Sequence, residues 1–260
     1  MSKIFAIVNQ KGGVGKTTTS INLSTAFAIV NKKTLLIDLD PQGNSSTGFG
    51  ITYEQRTNTV YEVLVNNLSI SAAVVKTEIP NLHLLPSTVD LSAAEIELTQ
   101  VQQREFILQK SLYEAKNPYD YIFIDCPPSL GLLTVNALIA ANSIIIPLQC
   151  EFFALEGLSH LIKTIEIVKK HLNPFLSIEG IILTMYDKRN KLSEQVEEDI
   201  RKYLKESVYK TVIPRNVRLS EAPSHGKPAI IYDFKCAGSQ AYIHLAKEIL
   251  NKQKNNRCSK

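Results

Sequence analysis

Short runs of branched and aromatic residues alternate along this chain with longer stretches whose apolar positions recur every three or four residues, the periods of strand and helix. Residues 3–8 (KIFAIV), 34–39 (TLLIDL), 81–86 (NLHLLP), 119–125 (YDYIFID), 143–148 (SIIIPL) and 178–185 (IEGIILTM) read as strands, and 209–213 as another. Between them, Ile21, Leu23, Ala26, Phe27 and Val30 mark one helix, and 59–66 a short one. Residues 92–115 read as a single long amphipathic helix, capped by Ser92 with Glu95 three residues on and an apolar side of Ile96, Leu98, Val101, Phe106, Ile107 and Leu112. Helices follow at 155–171 and 193–205, and 239–252 closes the chain with Ser239 as its cap. The alternation predicts parallel βαβ units: one α/β domain over 1–252 with a mostly parallel twisted sheet and helices on both faces, then a polar, disordered tail over 253–260.

The places where strands end carry the chemistry. After the first strand comes Asn9-Gln10-Lys11-Gly12-Gly13-Val14-Gly15-Lys16-Thr17-Thr18, which leads straight into a helix. Its glycines let successive amides point into one concavity, and the helix start adds its own unpaired amides, so the turn reads as a cradle for a polyphosphate. Lys16 supplies charge there and the Thr17 hydroxyl a ligand for Mg²⁺. The common P-loop pattern has a glycine where this chain has Gln10, and a second lysine, Lys11, stands inside the loop.

Two further strand ends point the same way. The second strand carries Asp38 and runs into Asp40-Pro41-Gln42-Gly43-Asn44, whose proline and glycine force a turn. The 119–125 strand ends at Asp125 before Cys126-Pro127-Pro128-Ser129, a Walker B pattern that can support the metal of a bound nucleotide. Ligands of open α/β sheets bind at the carboxyl ends of strands, which brings Asp40 and Asp125 toward the loop. The segment 213–223 (IPRNVRLSEAP) leaves the sheet on that side and can close over a base.

Composition narrows the class. With 260 residues, 44% hydrophobic and 21% charged, the chain is an ordinary globular one with no run approaching the ~20 apolar residues of a membrane span. No leader precedes the first strand, so a cytosolic location is expected. Cys126, Cys150, Cys236 and Cys258 are scattered and predict reduced thiols rather than a zinc site or disulfides, and the five histidines show no ligand spacing. Charge is uneven: residues 1–185 carry 13 Lys/Arg against 16 Asp/Glu, whereas 186–260 carry 16 against 9, an asymmetry that suits a polyanionic partner.

The segments KGGVGKTTTS (11–20), DLDPQGN (38–44), YDYIFIDCPPSLG (119–131) and IPRNVRLSEAPSHGKP (213–228) together resemble the ParA/Soj-type chromosome-partitioning ATPases, P-loop NTPases with a deviant Walker A loop of the ParA/MinD superfamily, over nearly the whole chain. The resemblance implies a slow ATPase using ATP and Mg²⁺. In it, Lys11 reaches the partner's phosphates across a nucleotide-sandwiched homodimer, much as an arginine finger does. Residues 11–18 (Lys11, Gly12, Gly13, Val14, Gly15, Lys16, Thr17, Thr18) bind the nucleotide, Asp40 positions or activates the attacking water, and Thr17 and Asp125 serve Mg²⁺ with Asp38 in support. Pro214 and Asn216 contact adenine, and 185–189 form the other wall. Arg189 and Arg218, with Lys188, Lys191 and Arg215 as further candidates, contact double-stranded DNA without reading its sequence. A ParB-like centromere-binding protein stimulates hydrolysis, and the location is cytoplasmic and nucleoid-associated. A MinD-like membrane-positioning ATPase is the alternative, disfavoured because the C-terminal residues 249–256 lack a bulky apolar face. An iron protein of the nitrogenase-reductase type would need cysteine motifs that Cys126 and Cys150 do not match. An ATP-dependent metabolic ligase of the superfamily is a less favoured alternative, because the match extends through 213–228.

Overall fold

The computed structural model describes residues 2–115 and 118–258. Its strands are β1 (Lys3–Ile7), β2 (Thr34–Asp38), β3 (Val75–Lys76), β4 (Leu82–Leu85), β5 (Tyr121–Asp125), β6 (Ser143–Gln149) and β7 (Ser177–Thr184). They form one sheet in the order β3-β4-β2-β5-β1-β6-β7. Each neighbouring pair is parallel except β3 with β4. The helices are α1 (Lys16–Ile29), α2 (Asn44–Gly48), α3 (Val60–Val65), α4 (Ile70–Ala73), α5 (Leu91–Glu97), α6 (Ile107–Glu114), α7 (Leu132–Ala140), α8 (Ala154–His171), α9 (Lys191–Leu204), α10 (Val217–Glu221), α11 (Ala229–Tyr232) and α12 (Ala237–Cys258).

Successive strand residues face opposite sides of the sheet, and both sides are covered. Phe5, Ile7, Leu36, Phe123, Ile145 and Ile182 pack with Phe27 of α1 and with Tyr242, Leu245 and Ile249 of α12. Ala6, Leu35, Ile37, Ile122, Ile124, Ile144 and Ile146 pack on the other side with residues of α3 and of α5 to α9. Phe27 is fully buried, with its ring edge-on to Tyr121 at 4.7 Å and to Phe123 at 5.2 Å. Because the β2, β5 and β1 ladder is parallel, the turns after these three strands emerge on one edge of the sheet.

The structure departs from the sequence pattern in several places. The helix expected over 92–115 is broken: α5 stops at Glu97, Val101 is extended, Gln103 takes a left-handed φ of 55°, and α6 begins only at Ile107. Tertiary contact stabilises the break, since the Asn136 amide of α7 donates to the Arg104 carbonyl at 3.0 Å and accepts from the Leu108 amide at 3.1 Å. Ser92 lies inside α5, whose first flanking residue is Asp90. Residues 209–213 form no strand; the segment runs beside β7, with the Tyr209 and Ile213 amides donating to the Ile181 and Leu183 carbonyls at 3.0 and 2.8 Å and isolated bridges flanking it at Val208 and Pro214. Ser239 likewise falls inside α12, and its amide donates to the Cys236 sulfur. Finally, residues 253–258 are helical where the sequence reading puts a disordered tail; Lys252 and Gln253 both donate to Glu179, which ties this last stretch to β7. The remainder of that tail, 259–260, lies outside the described residues. The sequence reading also missed the short helices α2, α4, α10 and α11, as well as α7 and the two-residue edge strand β3.

Phe27→Ala should remove about 3–5 kcal/mol of stability, because the rings around it cannot collapse into the space left behind. Equilibrium urea unfolding checks this through a lowered midpoint at an unchanged slope.

Candidate nucleotide site

The loop after β1 is held open by its own side chains. Asn9 is buried, donates to the Pro147 carbonyl at 2.7 Å and accepts from the Lys11 amide at 3.0 Å. Gln10, at the position where a glycine was expected, donates to the Gly157 carbonyl of α8 at 3.2 Å. Gly13 and Gly15 take left-handed φ values of 74° and 90°, and a Cβ built on Gly12 or Gly13 would meet nothing within 4 Å. The inside of the loop is therefore clear, with room for a ligand against the backbone. Val14 is buried, and its carbonyl accepts from Thr184 at the end of β7, 2.8 Å away.

Lys16 opens α1 and is 7% exposed. Its ammonium donates to the Lys11 carbonyl at 3.1 Å, so it is already curled back into the loop. Burial lowers its pKa, while the nearby Asp125, Cys126 and Asp40 act to raise it. Asp125 and Asp38 end neighbouring parallel strands in register, and both are fully buried. Ser20 and Ser45 donate to the two Asp125 oxygens at 3.0 and 2.8 Å, and Thr17 adds a third hydroxyl. Burial nonetheless pushes Asp125 up to about 6. Asp38 is pushed up to about 7 by burial and then by Asp125; Ser46 donates to one of its oxygens through both amide and hydroxyl, and the other oxygen has no partner. Asp40 is 8% exposed and accepts from the Gln42 amide at 2.9 Å.

This donor set fits Mg²⁺ held together with a polyphosphate. Among the described residues no group of three or more His, Cys, Asp or Glu side chains can enclose a metal. One hydroxyl and one carboxylate beside an anion cradle are the usual protein share of a nucleotide-bound Mg²⁺, whose other ligands are phosphate oxygens and waters. Cys126 and Cys150 are buried free thiols, with burial pushing the Cys150 thiol up to about 12, and neither belongs to such a set. The Cys258 side chain lies outside those described.

Lys11 points elsewhere: its ammonium pairs with Glu151 on the segment after β6, and both side chains are half exposed. Residues 185–189 and 214–216 are brought together, with Tyr186 bridged to Pro214 and the Arg215 amide donating to the Tyr186 carbonyl at 3.1 Å. Asn216 caps α10 by accepting from the Arg218 amide. Lys188, Arg189, Lys191, Arg215 and Arg218 are all exposed. Arg189 forms a forked pair with Asp187, which holds that carboxyl down at about 2. Arg218 pairs with Glu221 at 2.7 Å and Asp233 at 3.4 Å. Ser20, Ser45, Ser46, Arg56 and Glu151 were not singled out from the sequence. The serines carry a faint signal in being small hydroxyls near the start of a helix that follows a strand-end turn; Glu151 carries none.

Residues 2–178 match the AAA_31 family, an AAA domain. The chain is similar to the chromosome partitioning protein ParA of Caulobacter vibrioides, 56% identical over 97% of this chain and 96% of that one. It is also similar to the chromosome-partitioning ATPase Soj of Treponema pallidum, at 52% identity over 96% and 98%. The chain belongs to the ParA/Soj family of chromosome-partitioning ATPases. Its fold matches a Mycobacterium smegmatis structure titled cobyrinic acid a,c-diamide synthase with bound ADP and magnesium, at a TM-score of 0.86, 36% identity and coverage of 98% and 97%. As a ParA/Soj protein the chain is an ATPase, and no helix among its described residues is long and apolar enough to cross a membrane.

The raised Asp38 pKa sets a pH dependence. An acid whose folded pKa is raised stabilises the fold fully only below its ordinary value of 3.8, and that contribution is lost as pH rises through about 7. Asp38→Asn removes the loss, so the nucleotide-free variant should melt at least ~2 °C above wild type at pH 8, with the gain shrinking toward pH 5. Calorimetric melts at the two pH values check this; a gain of equal size at both would contradict it.

Proposed function

We propose that this ATPase is a nucleotide-driven switch: ATP binding pairs two copies, the pair holds double-stranded DNA without sequence preference, and hydrolysis stimulated by a ParB-like centromere-binding partner resets it. The observation that carries the reading is the division of labour between the two loop lysines. Lys16 is buried and turned into its own loop, whereas Lys11 is half exposed and turned out to Glu151, available to anions beyond its own protomer.

Within the protomer, the amides of 12–18 and the Lys16 ammonium hold the phosphates of ATP. Thr17 and Asp125 hold Mg²⁺, which supplies positive charge against the transferring phosphoryl group. Asp40 stands at the same edge with its carboxylate oriented by the Gln42 amide, and it holds or accepts a proton from the attacking water. Asp38 backs Asp125 from the neighbouring strand. The bridged segments 185–189 and 214–216 wall the base, with Pro214 and Asn216 on the adenine side. In the paired form Lys11 exchanges Glu151 for the other copy's phosphates.

For DNA, Lys188, Arg189, Arg215 and Arg218 form an exposed basic edge. Arg189 and Arg218 now hold carboxylates; exposed pairs of this kind are weak and exchange readily for phosphates. Contacts to phosphate alone are sequence-independent and weaken steeply with salt. The reading implies a cytoplasmic, nucleoid-associated protein.

Two sets of variants test the reading. Lys16→Ala should abolish productive ATP use, while Asp40→Ala should retain ATP, lose most of its turnover and accumulate DNA-bound pairs; steady-state hydrolysis and size-exclusion light scattering with ATP separate the two. Wild-type turnover in Asp40→Ala would remove that residue from the chemistry. Combining Arg189→Ala with Arg218→Ala should leave ATP-dependent pairing intact and cut the affinity for random DNA at least about tenfold at moderate salt. Gel shifts with ATP, ADP or no nucleotide, run beside liposome sedimentation, check this, and ATP-dependent liposome binding without DNA binding would favour a membrane-positioning role.

A further inference from the structure

Arg56 follows a short 3₁₀ turn over Tyr53–Gln55, and none of the nucleotide motifs includes it. Each of its five N–H groups has an acceptor. Nε donates to the Ile51 carbonyl at 3.2 Å. Nη1 is shared between the carbonyls of Gly43 at 3.4 Å and Ser87 at 3.1 Å. Nη2 donates to the Thr47 hydroxyl at 2.9 Å and again to the Ile51 carbonyl at 2.8 Å. Among the described residues Arg56 makes no ion pair, and Asp38 is the first acid whose field it feels. A partly desolvated cation committed entirely to neutral acceptors is an expensive way to tie down a loop, and the planar fork of a guanidinium is what lets one group fix three separate segments at set distances.

Those segments are the ones that aim Asp40. The turn closes through the Gly43 amide on the Asp40 carbonyl at 2.9 Å, and the Gln42 amide inside it orients the Asp40 carboxylate. Gly43, the last residue of the turn, is left-handed at φ 61°, and a Cβ there would meet Arg56 Nη1 at 2.6 Å and the Ser87 carbonyl at 2.9 Å, so turn, guanidinium and post-β4 backbone are in direct contact. Beyond Gly43, α2 carries Ser45 on Asp125 and Ser46 on Asp38, and the Ser87 amide donates to the Ser46 hydroxyl at 3.1 Å. Arg56 thus closes a ring that runs from the Asp40 turn through α2 and Ser46 to Ser87 and back.

We propose that Arg56 is a positioning residue for ATP hydrolysis, its guanidinium fixing the turn that presents Asp40 while leaving the phosphate loop untouched. The inference rests on the assignment of Asp40 to the attacking water. The hydrogen bonds of Arg56 go to residues 43, 47, 51 and 87 and to none of 9–18, so its loss moves the water-directing carboxylate without loosening the cradle. A misplacement of ångström size at such a group is worth one to two orders of magnitude in rate.

The test compares wild type, Arg56→Ala, Arg56→Lys and Asp40→Ala in steady-state ATP hydrolysis, fluorescent ATP-analogue binding and thermal melting. In Arg56→Ala, kcat should fall roughly tenfold or more with the analogue Kd within about threefold of wild type, the split expected of a group that acts only on the chemical step. Arg56→Lys keeps the charge but not the fork and should fall similarly. Added guanidinium ion at a sub-denaturing concentration should restore turnover to Arg56→Ala and not to Arg56→Lys or Asp40→Ala. Wild-type kcat in a folded Arg56→Ala, or a parallel loss of kcat and nucleotide affinity, overturns the inference. If Arg56→Ala does not fold, Arg56→Lys decides, and wild-type kcat in it is equally fatal. Slow Asp40→Ala beside normal Arg56 variants overturns this inference alone; wild-type turnover in Asp40→Ala overturns the Asp40 assignment and this inference with it.

Discussion

Asp38 and Asp125 stand in register at the ends of neighbouring parallel strands, both without solvent exposure. Two carboxylates buried side by side repel each other and lose their hydration, a combination a fold tolerates only with donors and positive charge around them. The surroundings answer that demand: three hydroxyls from Thr17, Ser20 and Ser45 on Asp125, the amide and hydroxyl of Ser46 on Asp38, and the buried Lys16 ammonium close by. The compensation is partial, for both acids stay above their ordinary values and one Asp38 oxygen has no partner. A site left short of positive charge is one that a divalent cation completes, so the same imbalance that strains the free protein favours metal-nucleotide binding.

The sheet that creates this strain was legible in the sequence because parallel strands covered on both sides must be apolar nearly throughout, and six such runs stand out. The phosphate loop, Asp40 and Asp125 were legible for a related reason: each sits where an apolar run stops at a glycine, proline or acid. What the pattern could not carry were contacts between residues far apart in sequence. Asn136 reaches residues 104 and 108 and supports a break in a stretch whose periodicity is unbroken. Lys252 and Gln253 keep a polar tail helical through Glu179. Arg56, between a tyrosine-containing turn and a short helix, looks like any surface arginine until Gly43 and Ser87 are folded against it.

A common electrostatic theme links the exposed cations. Lys11 holds Glu151, Arg189 holds Asp187, and Arg218 holds Glu221 and Asp233. In each, a carboxylate of the same chain occupies a cation suited to a phosphate. The buried Lys16 and the partly buried Arg56 are treated differently: their donors go to neutral carbonyls and, for Arg56, one hydroxyl, which raise no competing charge and impose geometry instead. Exposure therefore separates cations paired with carboxylates from cations that hold a shape.

That separation explains how one turn can serve both order and turnover. In the proposed reaction the Asp40 turn needs a rigid support, because a carboxylate that directs water acts only through its placement, yet a carboxylate partner for that support would add a further negative charge beside Asp38 and Asp125. A guanidinium bonded only to carbonyls and a hydroxyl gives rigidity and at the same time brings a positive field toward Asp38. Gly43 follows from the same requirement: its left-handed backbone lets the turn approach the guanidinium closer than any side chain would permit. The residues that hold the loop and the residues that hold the acids are thus one connected set, in which the glycine is as much a consequence of the arginine as the arginine is of the buried acids.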